Sequence, residues 1–204
     1  MYFSQSDKHL SKFFNVFLMP IEKSFLNSPL GVLEIKVTEQ LVCSILFTNT
    51  NRKTIPITEH INTAQSKYPL TMICQQQLTE YFSGERTKFE LPLQQTGTSF
   101  QQKIWSELTN IPFGKTISYL ALSKRIGNSK AIRAVGTANG NNSICIVVPC
   151  HRVIGSNGDL KGYNGDLWRK KWLLEHEGKH LNGKQTLIEF SKDGNNAIKP
   201  IESD

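Results

Sequence analysis

The chain has 204 residues, 38% of them hydrophobic, and a net charge of +7, which suits one domain or two small ones sharing an interface. No apolar run approaches the length needed to cross a bilayer. The start, Met1-Tyr2-Phe3-Ser4-Gln5-Ser6-Asp7, lacks the basic residues and apolar stretch of a secretory signal, so a cytoplasmic protein is expected.

In chain order, Phe13 to Met19, Gly31 to Val37 and Leu41 to Phe47 read as strands, being short apolar or alternating runs between polar turns. Residues 69–83 read as a helix with Met72, Leu78 and Phe82 as apolar positions and Gly84 as its stop. Leu91 to Gly97, which contains Pro92, reads as a linker. Thr98 and Ser99, followed three residues later by Gln101 and Gln102, give a capping-box start. Phe100, Ile104, Trp105, Leu108 and Ile111 then mark one buried helical face. Ser118 opens a short helix through Leu122 to Ile126, closed by Gly127, and Ser129 caps another with Ile132, Val135 and Asn139 on its inner side. Two short helices joined by a tight glycine-containing turn make a helix-turn-helix candidate. On the second helix Lys130, Arg133, Ala134 and Thr137 share the opposite side, a basic face small enough to approach a groove closely.

Ile144 to Val148 reads as a buried strand stopped by Pro149, placing Cys150 just past a rigid element. Asn157-Gly158 is a hairpin-type turn, and Gly162-Tyr163-Asn164-Gly165 a loop. Asp166 caps a last helix, with Leu167, Leu173 and Leu174 inward and Glu177-Gly178 at its end. The division expected is a structural unit over 1–90, a functional unit over 91–178 and a polar tail over 179–204, without internal repeats.

The charge is uneven. Residues 1–92 carry nine Lys/Arg against eight Asp/Glu, whereas residues 93–178 carry eleven against five. No acid occurs between Glu107 and Asp159, while Lys115, Lys124, Arg125, Lys130, Arg133 and Arg152 all fall there. Such a segment attracts phosphates, although a solvated basic face would look the same. The four cysteines (Cys43, Cys74, Cys145, Cys150) are scattered and form no Cys-x-x-Cys pair. That argues against a disulfide framework and against structural zinc. Cys43, Cys74 and Cys145 fit small buried hydrophobes.

Pro149-Cys150-His151-Arg152-Val153 sets a thiol beside an imidazole and a guanidinium. Nearby positive charge lowers a thiol pKa, and histidine can take its proton when a carboxylate orients the ring. On a regular strand Cys150 and His151 would point to opposite faces. Either the backbone turns sharply after Pro149 or a water relays the proton, and the relay is the favoured expectation.

In its setting this string resembles the active-site motif of the O6-alkylguanine-DNA alkyltransferases, also called methylated-DNA–protein-cysteine methyltransferases. The resemblance spans nearly all of residues 69–178. It includes Tyr81-Phe82-Ser83-Gly84, Gly97-Thr98-Ser99-Phe100-Gln101, Ile111-Pro112-Phe113-Gly114-Lys115-Thr116-Ile117-Ser118-Tyr119, Arg133-Ala134-Val135-Gly136 and Trp172-Leu173-Leu174-Glu175-His176-Glu177-Gly178. Residues 1–68 match only loosely, mainly through Ser28-Pro29-Leu30-Gly31.

The resemblance implies an α+β fold, with a small strand-rich, ribonuclease H-like N-terminal domain and a mainly helical, winged-helix-like C-terminal domain. It implies stoichiometric, irreversible transfer of an alkyl group from O6-alkylguanine, and from O4-alkylthymine, to Cys150. His151 and Glu177 match the pair that removes the thiol proton through a water, and Asn142 the residue that links this network. Tyr119 matches the phenol that assists base rotation and protonates the departing guanine, and Arg133 the side chain that enters the duplex. Lys130, Ala134, Thr137 and Arg152 complete the expected DNA-contacting set. Tyr163 and Asn164 match the loop over the extruded base, where carbonyls near Cys150 and Val153 read the guanine edge. Neither cofactor nor metal is implied. The implied partner is double-stranded DNA carrying alkylated bases, bound by a monomer, with cooperation along the DNA left open. The chemistry agrees, because a stacked base must be flipped into a pocket before its alkyl carbon can be reached.

Two positions depart from the family pattern: Ser143 stands where many relatives have proline, and Asp166 where they often have glycine. Altered rate or substrate range is the expected consequence. A lesion-recognition module without chemistry is the rival reading, but relatives of that kind lack the acceptor cysteine. A transcription regulator would carry an extra cysteine-rich metal domain, and a zinc deaminase would need Pro-Cys-x-x-Cys, where Val153 stands instead.

Overall fold

The computed structural model describes residues 20–48, 66–161, 163 and 165–181. The strand expected over Phe13 to Met19, most of the tail, and Gly162 and Asn164 of the loop lie outside the described residues.

The N-terminal half is an antiparallel sheet in the order β1 (Glu22–Ser28), β2 (Gly31–Val37), β3 (Val42–Phe47). Leu33, Ile35 and Val37 of β2 alternate into the core, as do Val42, Ile45 and Phe47 around the β3 pleat. β1 was not expected from its sequence. It is an edge strand with little apolar alternation, and the tight Ser28–Gly31 turn pairs it to β2. Gly31 has φ +107° there, and Ser28 Oγ donates to its carbonyl.

Helix α1 (Pro69–Ser83) starts on proline and ends at Gly84 in the left-handed region, as expected. Its buried stripe, however, is Leu70, Cys74, Leu78 and Tyr81, while Met72 and Ile73 are exposed. The segment expected as a linker also does more than connect. Leu93 bridges Val42 in parallel, with Gln94 N–H donating to Val42 O and Val42 N–H to Pro92 O.

The C-terminal half holds α2 (Ser99–Thr109), α3 (Tyr119–Arg125), α4 (Ile132–Gly140) and α5 (Leu167–His180), plus a parallel pair of short strands, β4 (Ile117–Ser118) and β5 (Val153–Ile154). The architecture is therefore α+β, strand-rich first and helical second. Thr98 and Gln101 form a reciprocal capping box on α2, and Ser118 caps α3 through Ala121 N–H. One hydrophobic cluster includes Ile35 and Ile45 of the sheet with Ile104, Leu108, Val135 and Leu173 of the helices, so the halves share a core.

Five local expectations fail. Ser129 does not cap the second helix of the pair: α4 begins after Ala131 without a side-chain cap, and Asn128 Oδ1 instead accepts Lys130 N–H in the preceding turn. Ile132 is exposed, whereas Val135 and Asn139 are buried. Leu167 is exposed too, and Asp166 occupies the cap position of α5 without capping, because its carboxylate turns to Arg169. Finally, Ile144 to Val148 is buried but is not a strand. Only Ile144 bridges the sheet, at Ile45, and the chain then coils, with Ile146 at φ 72°. For a β-branched residue that conformation costs about 1–3 kcal/mol, which the buried surroundings must over-determine.

Candidate active site

That coil turns the chain sharply into Cys150. Val148 N–H donates to Ile144 O, Cys150 N–H to Val148 O and Arg152 N–H to Pro149 O, and Cys150–Arg152 forms a single 3-10 turn. The sharp turn replaces the regular strand on which Cys150 and His151 would have diverged.

Cys150 is nearly buried, and Asn142 Nδ2 donates to its Sγ over 3.1 Å. Asn142 is itself pinned, because Nδ2 also donates to Val148 O at 2.7 Å while Oδ1 accepts Ile144 N–H and Gln95 Nε2. Ser143, at one of the two departures from the family pattern, accepts a bond from the same Gln95 amide. Asn139 Nδ2 braces the turn by donating to Cys150 O.

Burial pushes the Cys150 thiol above its ordinary pKa, while the Asn142 hydrogen bond and the Lys170 charge pull it back. The resting group is therefore a thiol, contrary to the expectation that adjacent positive charge lowers it. Burial outweighs the Lys170 charge, and the Arg152 guanidinium is spent on Glu177.

Arg152 is instead buried against Glu177, with Nε 2.9 Å from Oε2 and Nη2 2.9 Å from Oε1, and its Nη1 donates to Ile111 O. Its expected place on the DNA-contacting surface is thus corrected. The same carboxylate receives Tyr81 Oη at 2.9 Å, Gly114 N–H at 2.9 Å and His151 Nε2 at 2.7 Å. Burial would raise Glu177, but His151 and Arg152 outweigh it and hold the carboxyl well below the usual range. Burial lowers His151 below its ordinary value, partly offset by Glu177. A neutral ring beside an ionised carboxylate carries its proton on Nε2, leaving Nδ1 as the basic atom. Nδ1 is buried and has no protein partner among the described residues.

A cavity of about 270 Å³ opens beside the sulfur, lined by Leu46, Phe47, Gly140, Asn142, Cys145, Cys150, Tyr163 and Gly165. A larger cavity of about 680 Å³ lies elsewhere, among residues such as Phe89, Leu91, Phe113 and Leu181, and does not include Cys150. Chemistry at Cys150 therefore belongs to the smaller one. Burial pushes the Tyr163 phenol well up, and its hydroxyl has no hydrogen-bond partner among the described residues.

Tyr119 stands at the start of α3 and donates from Oη to Lys161 O at 2.7 Å, and burial pushes its phenol up to about 12. Lys170, which sequence reasoning missed, is fully buried and donates to Val153 O at 2.6 Å, to Lys161 O at 2.7 Å and to Tyr119 Oη at 3.5 Å. Burial lowers it to about 8. The carbonyls expected to read a guanine edge are thus already engaged, Cys150 O by Asn139 Nδ2 and the Val153 N–H, and Val153 O by Lys170.

Lys130, Arg133, Ala134 and Thr137 are all exposed, Lys130 just before α4 and the others along its outer side. The structure thus brings Cys150, His151, Asn142, Glu177, Tyr163 and Val153 to one buried region and leaves the α4 face on the surface. Asn164 lies outside the described residues. Besides Lys170, the sequence reading gave no role to Tyr81, Gln95 or Asn139. Tyr81 sat within a motif that carried the resemblance, whereas Lys170 and Gln95 had no local signal.

Comparison with known proteins follows the same division. The model for "6-O-methylguanine DNA methyltransferase, DNA binding domain" matches residues 99–179, and that for the ribonuclease-like domain of the same family matches residues 21–95. The chain is 44% identical over 151 residues to the constitutive methylated-DNA–protein-cysteine methyltransferase of Bacillus subtilis, covering 72% of this chain and 88% of that one. It is 50% identical over 113 residues to the methylated-DNA–protein-cysteine methyltransferase of Mycobacterium tuberculosis, covering 55% of this chain and 68% of that one. The fold is similar to the crystal structure of Mycobacterium tuberculosis O6-methylguanine methyltransferase, with TM-score 0.68, 36% identity, and 83% of this chain and 100% of that chain covered. It is similar also to that organism's protein in complex with DNA, with TM-score 0.67, 37% identity, and 78% and 93% covered. With both halves matched in sequence and in fold, this chain belongs to the methylated-DNA–protein-cysteine methyltransferase family.

Proposed function

We propose that Cys150 is the sulfur that accepts the alkyl group in the direct-reversal DNA repair this family carries out. The observation that carries the assignment is the placement of Cys150 Sγ at a cavity with Asn142 bonded to it, one residue from an imidazole paired to the buried Glu177. DNA is the partner.

The proton leaves Sγ through a water to His151 Nδ1, while Glu177 holds the ring by Nε2 and stabilises the imidazolium that forms. Arg152, Tyr81 and Gly114 keep Glu177 ionised and fixed, so the carboxylate orients and does not itself collect the proton. The thiolate attacks the alkyl carbon. An S–C bond forms, the C–O6 bond breaks, and the electron pair stays on the guanine. Tyr119 supplies a proton to the departing base, with Lys170 beside its phenol oxygen. The thioether has no easy leaving group, so each molecule acts once.

The nucleotide must leave the duplex to enter the cavity, at a cost of a few kcal/mol. Arg133 enters the space that it vacates and offsets part of this cost, while the small face of Ala134 and Thr137 lets α4 sit in the minor groove and Lys130 meets phosphate. Tyr163 and the adjoining Asn164 close over the base. O4-alkylthymine is a second substrate on the same route. The protein works as a monomer in the cytoplasm.

The test is incubation with a short duplex containing O6-methylguanine, followed by intact mass and mapping of the Cys150 peptide. A methyl group on that sulfur is expected, and Cys150→Ala should keep DNA binding while losing transfer. Tight lesion binding with unchanged mass would make the protein a recognition module instead.

A further inference from the structure

The helical half does not enclose the Cys150 cavity alone. Leu46 and Phe47, at the end of β3 in the N-terminal sheet, line it together with the loop residues Tyr163 and Gly165. One buried side chain holds these pieces together. The Arg169 guanidinium lies over the Phe47 ring, 4.5 Å from its centroid. Its Nε donates to Leu30 O at 2.8 Å in the β1–β2 turn, and its Nη1 donates to Gly165 O at 3.2 Å and Asp166 Oδ2 at 2.7 Å.

The loop end is tightly fitted at this clamp. A Cβ on Gly165 would stand 2.7 Å from Tyr163 Cε1 and 3.4 Å from Phe47 Cδ2. Asp166 sits at φ 72°, in the left-handed region that favours glycine, and its bond to Arg169 holds it there. The position that departs from the family's usual glycine is therefore one half of the clamp. A planar guanidinium suits this task, since it can stack on a ring and donate in several directions at once.

We propose that the N-terminal sheet sets the size of alkyl group this protein accepts, with Phe47 as the wall of the Cys150 cavity and Arg169 as the positioning residue that fixes Gly165 and Asp166 against it. The proposal rests on the reading of Cys150 as alkyl acceptor. A methyl carbon needs little room beside the sulfur. An aromatic ring attached to that carbon must displace Phe47 or the loop, and a packed wall resists both.

The experiment measures single-turnover transfer from two duplexes, one with O6-methylguanine and one with O6-benzylguanine, by the mass of the Cys150 peptide. Phe47→Leu should raise the benzyl-to-methyl rate ratio by about tenfold, the scale on which an apolar pocket discriminates. Arg169→Met, which keeps the stem and removes the clamp, should move the ratio the same way. Leu46→Trp should lower it, and because Leu46 is partly exposed the larger side chain fits without rebuilding the core. Both substrates sample the same folded fraction, so loss of folded protein cancels in the ratio. Ratios within about twofold of the unaltered protein in all three variants would overturn the wall while leaving the acceptor role intact. Failure of the unaltered protein to alkylate Cys150 from either duplex would overturn that role and this proposal together.

Discussion

His151 Nε2 lies 2.7 Å from Glu177 Oε1, and neither side chain has any exposed surface. Three further donors, Arg152, Tyr81 and the Gly114 N–H, converge on the same carboxylate, so a charge that would be costly alone is fully hydrogen-bonded. The arrangement fixes the ring and leaves Nδ1 as its basic edge. The structural core and the proposed proton path therefore share one residue, and disturbing Glu177 should register in both stability and rate.

Glu177→Gln tests that sharing. It leaves the Arg152 guanidinium buried without its counter-charge, which should destabilise the fold by about 3–5 kcal/mol. Chemical denaturation followed by circular dichroism reads the loss. A change well under 1 kcal/mol would mean that the pair is not buried as described.

Acidity should act through the same group. The folded carboxyl is held below the ordinary value of 4.5, so its contribution is present above pH 4.5 and is lost as pH falls below that point. His151, held below 6.5 when folded, adds a loss in the same direction starting near pH 6.5, because the unfolded ring binds its proton first. Melting temperature against pH should fall on the acid side, and the fall should be shallower in Glu177→Gln.

The transfer rate has its own acid limb. Burial keeps His151 neutral to below its ordinary 6.5, so single-turnover rates should hold from neutral pH to below 6.5 before they drop. A midpoint above 6.5 would remove His151 from the proton path.

Asn142→Ala removes the hydrogen bond to Cys150 Sγ and one of the influences that pull the thiol pKa down. The rate profile should shift toward alkaline pH, with slower transfer at neutral pH that recovers as pH rises. A uniformly lower rate with an unmoved profile would reduce Asn142 to bracing the backbone through Val148 O.

Arg133→Ala should slow transfer from duplex DNA by about tenfold or more while barely affecting the free base, because only the duplex must be opened. Equal losses on both substrates would contradict an intercalating role.

Much of this molecule follows from local rules written in the chain. Thr98 with Gln101, Ser118 with Ala121, and Gly84 after Ser83 start or stop helices through bonds between near neighbours, and those boundaries were legible without coordinates. The ordered motifs around Cys150 carried the family likewise. The edge strand β1, the exposure of Met72 and the coil at Ile146 were not legible, because pairing, rotation about a helix axis and backbone strain depend on what lies opposite.

The site divides in the same way. Adjacent residues in the chain identified Cys150 and His151, but adjacency misled for Arg152, which the fold turns toward Glu177 and away from the surface. Lys170, Tyr81 and Gln95 act across 9 to 96 positions of sequence separation, and the Arg169 bond to Leu30 spans 139. Sequence alone determined which chemical groups are available and where helices begin. Only the packed chain decided which group meets which, because burial removes water as a partner and obliges each polar atom to find another wherever the fold has brought one.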